Sequence, residues 1–233
     1  MHKSDKSADW VQRACAANPV TLLDNGNFTS GPVRLSWPFI FERGKPMDDS
    51  GEAKFSASIM FPIGVNLDVL QVAALACAKE NFAGNFDQSG QPFGLHFPFR
   101  DQVVKQNFDG YVPGAIFMTC SSGQRPPCVD ANLQNIVDTN KVYPGVWAIV
   151  SLNCYSWDRK VKKGVSFGLQ SVMIVSDDCP LGGVADPQAD FAKIRPIETD
   201  TNYQGAAKFG ASSNTTPAPV GDMDADTRRL LGL

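Results

Sequence analysis

Between Val33 and Phe41 apolar and polar residues alternate. Val33, Leu35, Trp37, Phe39 and Phe41 share one face of an extended chain, while Arg34 and Ser36 share the other. Pro38 within this run points to an edge position or a bulge. After a polar turn over residues 47–51 the alternation resumes from Ala53 to Phe61. Phe55, Ala57, Ile59 and Phe61 lie against Lys54, Ser56 and Ser58. Then the period changes. Leu67, Leu70, Ala74, Leu75, Ala78 and Phe82 recur at helical spacing, which predicts a helix over 67–82 with Asn66 as its cap. Period two returns over 115–120, 145–157 and 164–175. Residues 84–114, rich in Gly, Pro and Phe, read as a long ordered loop, and such loops inside compact domains are often functional. A short helix is expected near residues 10–17.

Five strands with one or more helices predict a mainly β fold. The natural candidate is a five-stranded, OB-fold-like Greek-key barrel, which leaves an external groove for oligonucleotides. The expected organisation is an N-terminal extension over 1–30, the barrel domain over 31–200, and a C-terminal tail over 201–233. From Thr201 the chain turns to Gly, Ala, Ser, Asn, Thr and Pro. That composition buries too little apolar area to offset its ordering entropy, so a flexible linker is expected. It ends in Asp222, Asp224 and Asp226, then Arg228-Arg229 and the apolar Leu230, Leu231 and Leu233.

The fourth predicted strand carries the most informative pattern. Val146, Ala148, Val150, Leu152 and Cys154 make a core face. Trp147, Ile149, Ser151, Asn153, Tyr155 and Trp157 make a second face with aromatics at its ends and small polar groups between. Arg159, Lys160, Lys162 and Lys163 follow at once, before Gly164 turns the chain into the fifth strand. Bases stack on aromatic faces whatever their identity, at roughly 1–3 kcal/mol per base. Cations beside such a surface meet the phosphates. The hairpin therefore reads as one side of a single-strand groove. Arg34 and Lys54 fit the same sheet surface, and Arg100, Lys105 and Arg125 could line it. Trp147 fits either a base contact or the core, and Phe93, Phe97 and Phe99 read as packing.

Charge sharpens this picture. The chain of 233 residues has a net charge of −3, which excludes a uniformly basic protein. Yet residues 100–170 carry 8 Lys/Arg against 5 acids, and residues 171–233 carry 5 against 9. The positive charge is concentrated in the middle and the negative charge at the C-terminal end. Six cysteines, at 15, 77, 120, 128, 154 and 179, form no C-x-x-C pair, and only His2 and His96 could join them. Neither a metal site nor a cofactor is expected, and buried reduced thiols are. No apolar leader and no membrane-spanning run is read in the sequence.

Several blocks together resemble a phage family of OB-fold single-stranded DNA-binding proteins, first catalogued as a domain of unknown function. They are Gly31-Pro32-Val33-Arg34-Leu35-Ser36-Trp37-Pro38 and Lys54-Phe55-Ser56-Ala57 in the opening strands. Ser121-Ser122, Arg125-Pro126-Pro127, Val129-Asp130, Tyr143-Pro144-Gly145 with Trp147, Lys163-Gly164-Val165-Ser166 with Gly168-Leu169, and Pro180-Leu181-Gly182-Gly183 follow in order. The resemblance spans about residues 31–191. It implies binding of single-stranded DNA with little sequence preference, in phage replication or recombination, in the cytoplasm of an infected bacterium. It also implies an acidic C-terminal tail that touches phage or host replication proteins. The chain departs there, because Arg228-Arg229 and an apolar end follow the three Asp.

Two other classes compete. A nucleic-acid-processing enzyme normally needs clustered carboxylates for Mg²⁺, and Asp48, Asp49 and Glu52 read as a solvated turn. No P-loop, nucleophile elbow or H-E-x-x-H occurs. A β-rich virion component would give no reason to pair aromatics with cations at one hairpin.

Overall fold

The computed structural model describes residues 4–45, 52–159 and 161–182. The expected linker and tail over 201–233, the turn at 47–51 and Lys160 lie outside the described residues. The elements, in chain order, are α1 (Ala8–Ala17), β1 (Thr21–Leu22), β2 (Phe28–Gly44), β3 (Lys54–Met60), α2 (Asp68–Asn81), β4 (Arg100–Asp101), β5 (Ile116–Ser122), β6 (Cys128–Val129), β7 (Trp147–Arg159) and β8 (Lys162–Ser176).

The five long strands are those the alternation predicts. Antiparallel pairing joins β5 to β3, β3 to β2, β2 to β7 and β7 to β8. The ring closes through a parallel pairing of β5 with β8 at Ser121–Gly168. The result is a closed five-stranded OB barrel. Its interior holds Val33, Leu35, Ile40, Ala57, Ile59, Met118, Val150, Leu152, Phe167 and Leu169, all buried.

The helix α2 lies between β3 and β5 in the chain and packs on β7 and β8. Leu70, Ala74 and Ala78 of the predicted stripe are buried, and Leu75 is exposed. Asn66 sits one residue earlier than expected of a cap: its Oδ1 accepts from the Asp68 backbone N–H at 2.7 Å, and Leu67 holds the cap position.

Two departures in β2 matter for the site. The strand starts at Phe28, earlier than the alternation indicates, because Ser30-Gly31-Pro32 interrupts the pattern while a register shift between Thr29 and Pro32 absorbs it. The inward series Val33, Leu35, Trp37, Phe39, Phe41 also breaks. Trp37 has φ 51°, a β-bulge separates the Ser36 and Phe39 pairs with β3, and Ile40 returns to the core in place of Trp37 and Phe39. Pro38 marks the bulge, as a proline in a strand should.

Residues 84–114 are ordered against the barrel. The buried Gln102 fastens this segment: its Nε2 donates to the carbonyls of Phe61 (3.1 Å) and Ile116 (3.0 Å), and its Oε1 accepts from Val112 N (2.8 Å). A second attachment ties His96 into the sheet. His96 N donates to Lys163 O (3.0 Å), and Val165 N donates to His96 O (2.9 Å). A Cβ on Gly164 would collide with the His96 backbone, so only glycine permits this approach.

From Ser4 onward the N-terminal segment packs on the barrel. Ser7 caps α1, and Trp10 meets Trp147 edge-on at 5.4 Å. Among the described residues no helix is long and apolar enough to cross a membrane.

Candidate nucleic-acid interface

Strand period decides which side chains of the β7–β8 hairpin share a surface. On β8, Val165, Phe167 and Leu169 point into the barrel, so Gly164, Ser166 and Gly168 point out. Their β7 partners are Trp157, Tyr155 and Asn153. Lys162 belongs to the outward set and Lys163 to the other. Accordingly Lys163 Nζ lies 5.5 Å from the Phe82 ring centroid, at the end of α2.

Beside the hairpin the surface is hollowed into a cleft of about 340 Å³, lined by His96, Phe97, Arg100, Thr119, Trp157, Lys162 and Ser166, with Pro98 and Val165. The His96 and Trp157 rings stack with centroids 6.0 Å apart and planes 27° from parallel. Three walls meet here: the hairpin gives Trp157 and Lys162, the His96–Arg100 segment gives an imidazole and a guanidinium, and β5 gives Thr119. Tyr155 stands next along β7 on the same outward face, 37 % exposed.

The floor continues across the sheet in short polar side chains. Ser58 faces Thr119, with their hydroxyls 3.0 Å apart, and Ser56 faces Ser121. Thr119 is exposed and Ser56 and Ser121 are half-buried, so their small hydroxyls leave room for a ligand, while Ser58 is buried beneath them. Cations stand at both ends of this floor. Arg100 pairs with Phe117 near the start of β5, and exposed Lys54 lies at the opposite end, beside Gly44. Arg125 stacks its guanidinium over Phe41 at 4.8 Å near that far end.

The sequence-derived candidates therefore divide. Arg100, Trp157 and Lys162 converge on the cleft, with Tyr155 and the exposed Arg159 alongside. Lys54 and Arg125 are on the same side of the barrel but at the far end. Lys105 has its ammonium over the Phe117 and Tyr111 rings, at 5.0 and 5.4 Å, where it covers a satellite apolar cluster.

Arg34 is a correction. Expected on the open sheet surface, it is buried: Nε lies 3.2 Å from Asp178 Oδ2 and also donates to Gly145 O (3.0 Å), while Nη2 donates to Cys179 O (2.7 Å). The face assignment was right, but Asp178 and Cys179, just beyond β8, and the N-terminal segment cover that part of the face. Trp147 takes the core alternative, because its indole N–H donates to Asp178 Oδ2 at 2.8 Å.

Asp178 also accepts from Ser4 Oγ (2.6 Å), Asp5 N (2.6 Å) and Cys179 N (2.7 Å). Burial, the largest single influence, raises its pKa, yet these hydrogen bonds together hold the carboxyl below its ordinary value. Burial likewise lowers the Arg34 pKa, opposed by the Asp178 charge. Asp5, Asp178 and Cys179 bring donor atoms within 4.8 Å of one another. The Asp178 oxygens are already engaged by this network, so the trio reads as a structural lock and not as a cation site.

His96, Thr119 and Ser166 were missed by sequence reasoning, and Phe97 was read as packing. The one signal that could have found His96 is Gly164, since a glycine opening a strand hints at a close backbone neighbour.

Comparison with known proteins gives the architecture relatives. The family model described as the single-stranded-DNA-binding protein of Enterobacter phage Enc34 matches residues 27–204. The structure is similar to that of the bacteriophage Enc34 single-stranded DNA-binding protein in complex with ssDNA, with a TM-score of 0.60 and 20 % identity over 71 % of this chain and 94 % of that one. A second structure of the Enc34 protein aligns with a TM-score of 0.57 and 20 % identity, over 75 % and 94 % of the two chains. No curated protein matches. The structural likeness bears out the OB fold, and the family match, which covers well over half the chain, bears out the resemblance read from the sequence blocks: this chain belongs to the Enc34 single-stranded-DNA-binding protein family.

Proposed function

We propose that the chain binds single-stranded DNA with little sequence preference and shields it during phage DNA replication or recombination, in the cytoplasm of an infected bacterium. The observation that carries this reading is the cleft in which Trp157, stacked on His96, meets Arg100 and Lys162. An exposed aromatic surface takes a base face, and the two cations take flanking phosphates. Tyr155 and Arg159 extend the contact along the hairpin, while Lys54 and Arg125 meet the strand where it leaves the barrel. The relative's complex with ssDNA supports the choice of ligand.

The role is binding and not catalysis, and it needs neither metal nor cofactor. The 201–233 tail, through Asp222, Asp224, Asp226 and the terminal leucines, is proposed to meet phage or host replication proteins.

A gel shift with labelled oligo(dT), unlabelled poly(dT) as competitor and a salt series tests the reading. Binding that poly(dT) displaces and that weakens steeply with salt is expected, since counterion release dominates such affinity. Affinity that stays flat from low to high salt, or no binding at all, overturns it.

A further inference from the structure

The groove floor does not end at β3. Ser58 of β3 pairs with Ser36 of β2, so the outward row Ser166, Thr119, Ser58, Ser36 runs from β8 across β5 and β3 to β2. The next residue along β2 is Trp37, and it is anomalous in three respects. It has φ 51°, a conformation that costs a bulky residue dearly. It precedes Pro38, which further narrows the backbone space of the residue before it. And it is 51 % exposed although the alternation of β2 would have sent it into the core.

A strained backbone that pushes a large apolar ring into solvent lowers stability in two ways at once. Strain of this kind persists where function uses it. Trp37 is not alone: Phe108, itself 54 % exposed, meets it edge-on at 6.3 Å. Phe108 comes from the same 84–114 segment that delivers His96 and Arg100 to the cleft.

We propose that Trp37, steadied by Phe108, is a second base-stacking station on the path of single-stranded DNA, at the opposite border of the polar floor from Trp157. The inference rests on the reading of the cleft as a single-strand groove. Continuity chooses the occupant. The row runs from Tyr155, the β7 partner of Ser166 and outward neighbour of the half-buried Trp157, past the exposed Thr119 and the low-lying, buried Ser58 and Ser36, to the exposed Trp37. Followed through β8, β5 and β3, the way round the barrel that the row takes, the path from β7 to β2 crosses four strand spacings, about 19 Å. That is roughly five to six nucleotides at the stacked spacing of about 3.4 Å, within the span one OB fold takes.

The bulge offers a test that separates function from packing. Trp37→Gly removes the ring and relieves the strained φ. The protein should resist urea at least as well as the native chain, yet its affinity for (dT)12, measured by fluorescence anisotropy, should fall at least about fivefold. Phe108→Ala should weaken (dT)12 binding in the same direction with the fold retained by circular dichroism. The proposal is overturned if Trp37→Gly folds and binds (dT)12 within twofold of the native protein. Should Trp37→Gly not fold, Phe108→Ala decides by the same limit. A drop in oligomeric state with unchanged (dT)12 affinity also overturns it, by making the patch a contact between copies. Failure of the native protein itself to bind (dT)12 is a different result, and it removes the underlying reading of the groove.

Discussion

Lys162 and Lys163 are adjacent in sequence, identical in charge, and on opposite sides of β8. That makes them an internal control for the proposed interface. Lys162 lines the cleft with Arg100 and Trp157, whereas the Lys163 ammonium lies 5.5 Å from the Phe82 ring on the α2 side. For a single strand each neutralised phosphate adds about 0.7 to the slope of log affinity on log salt, so a fourfold rise in salt weakens binding about 2.6-fold per contact. Lys162→Ala should therefore lower affinity at 50 mM salt and shallow the slope by about 0.7. Lys163→Ala should leave the slope unchanged and cost only the cation–π contact, about 0.5–1 kcal/mol of stability. Anisotropy titrations of a labelled oligo(dT) from 50 to 300 mM salt measure both slopes on the order of tenths. Equal changes in the two variants would mean that the charge of the loop acts as a diffuse field, and the alternating geometry would lose its meaning for binding. A change confined to Lys163→Ala would put the strand on the α2 side of the hairpin and refute the cleft.

The buried Arg34–Asp178 pair predicts a stability effect separate from binding. Arg34→Met leaves the Asp178 carboxylate without its ion partner, and urea unfolding at pH 7 should show a loss of about 3–5 kcal/mol with oligo(dT) affinity of the folded protein retained. Asp178 also predicts an acid response. Its folded pKa is depressed, so its contribution is complete above the unfolded value of about 3.9 and fades as pH falls through the lower folded value. The stability gap between the native protein and Asp178→Asn should accordingly be widest near neutrality and narrow below about pH 4, and a gap independent of pH contradicts the assignment. For the tail expected from the sequence we propose competition with DNA: a coil of about twenty residues would reach roughly 25 Å, the scale needed to bring its three carboxylates to a cationic surface. Removing residues 201–233 should tighten oligo(dT) binding at low salt, with the gain vanishing as salt screens the attraction, and an unchanged or weaker affinity refutes the competition.

The barrel was legible because its strands are one-sided. A core on one face and solvent on the other writes period two into β3, β5, β7 and β8, and the α2 stripe is equally local. What covers an outward face is not local. Arg34 and Lys54 sit on outward faces of neighbouring strands, yet Arg34 disappears beneath Asp178 and Cys179, more than 140 positions away, while Lys54 stays in water. The closing pair Ser121–Gly168 is similarly silent, because one parallel contact between distant strands leaves no periodic trace. His96 was hidden for the same reason: its place depends on a backbone pairing with Lys163 and Val165 and on no pattern around itself. Trp37 misled in the opposite way. It obeys the alternation perfectly, and the bulge at Pro38 overrides it.

The His96–Gly164 junction bears on how quickly a strand could be captured. Because the wall of the cleft is hydrogen-bonded into β8, the conformational entropy of that wall is lost when the chain folds, before any ligand arrives. On the proposed reading of the cleft, association would then carry little further ordering of the wall, and the encounter would be governed by diffusion and by the field of Arg100 and Lys162. A side chain at position 164 would reverse this order of events: the wall would detach, each capture would have to rebuild it, and the on-rate would fall even where the final contacts were the same.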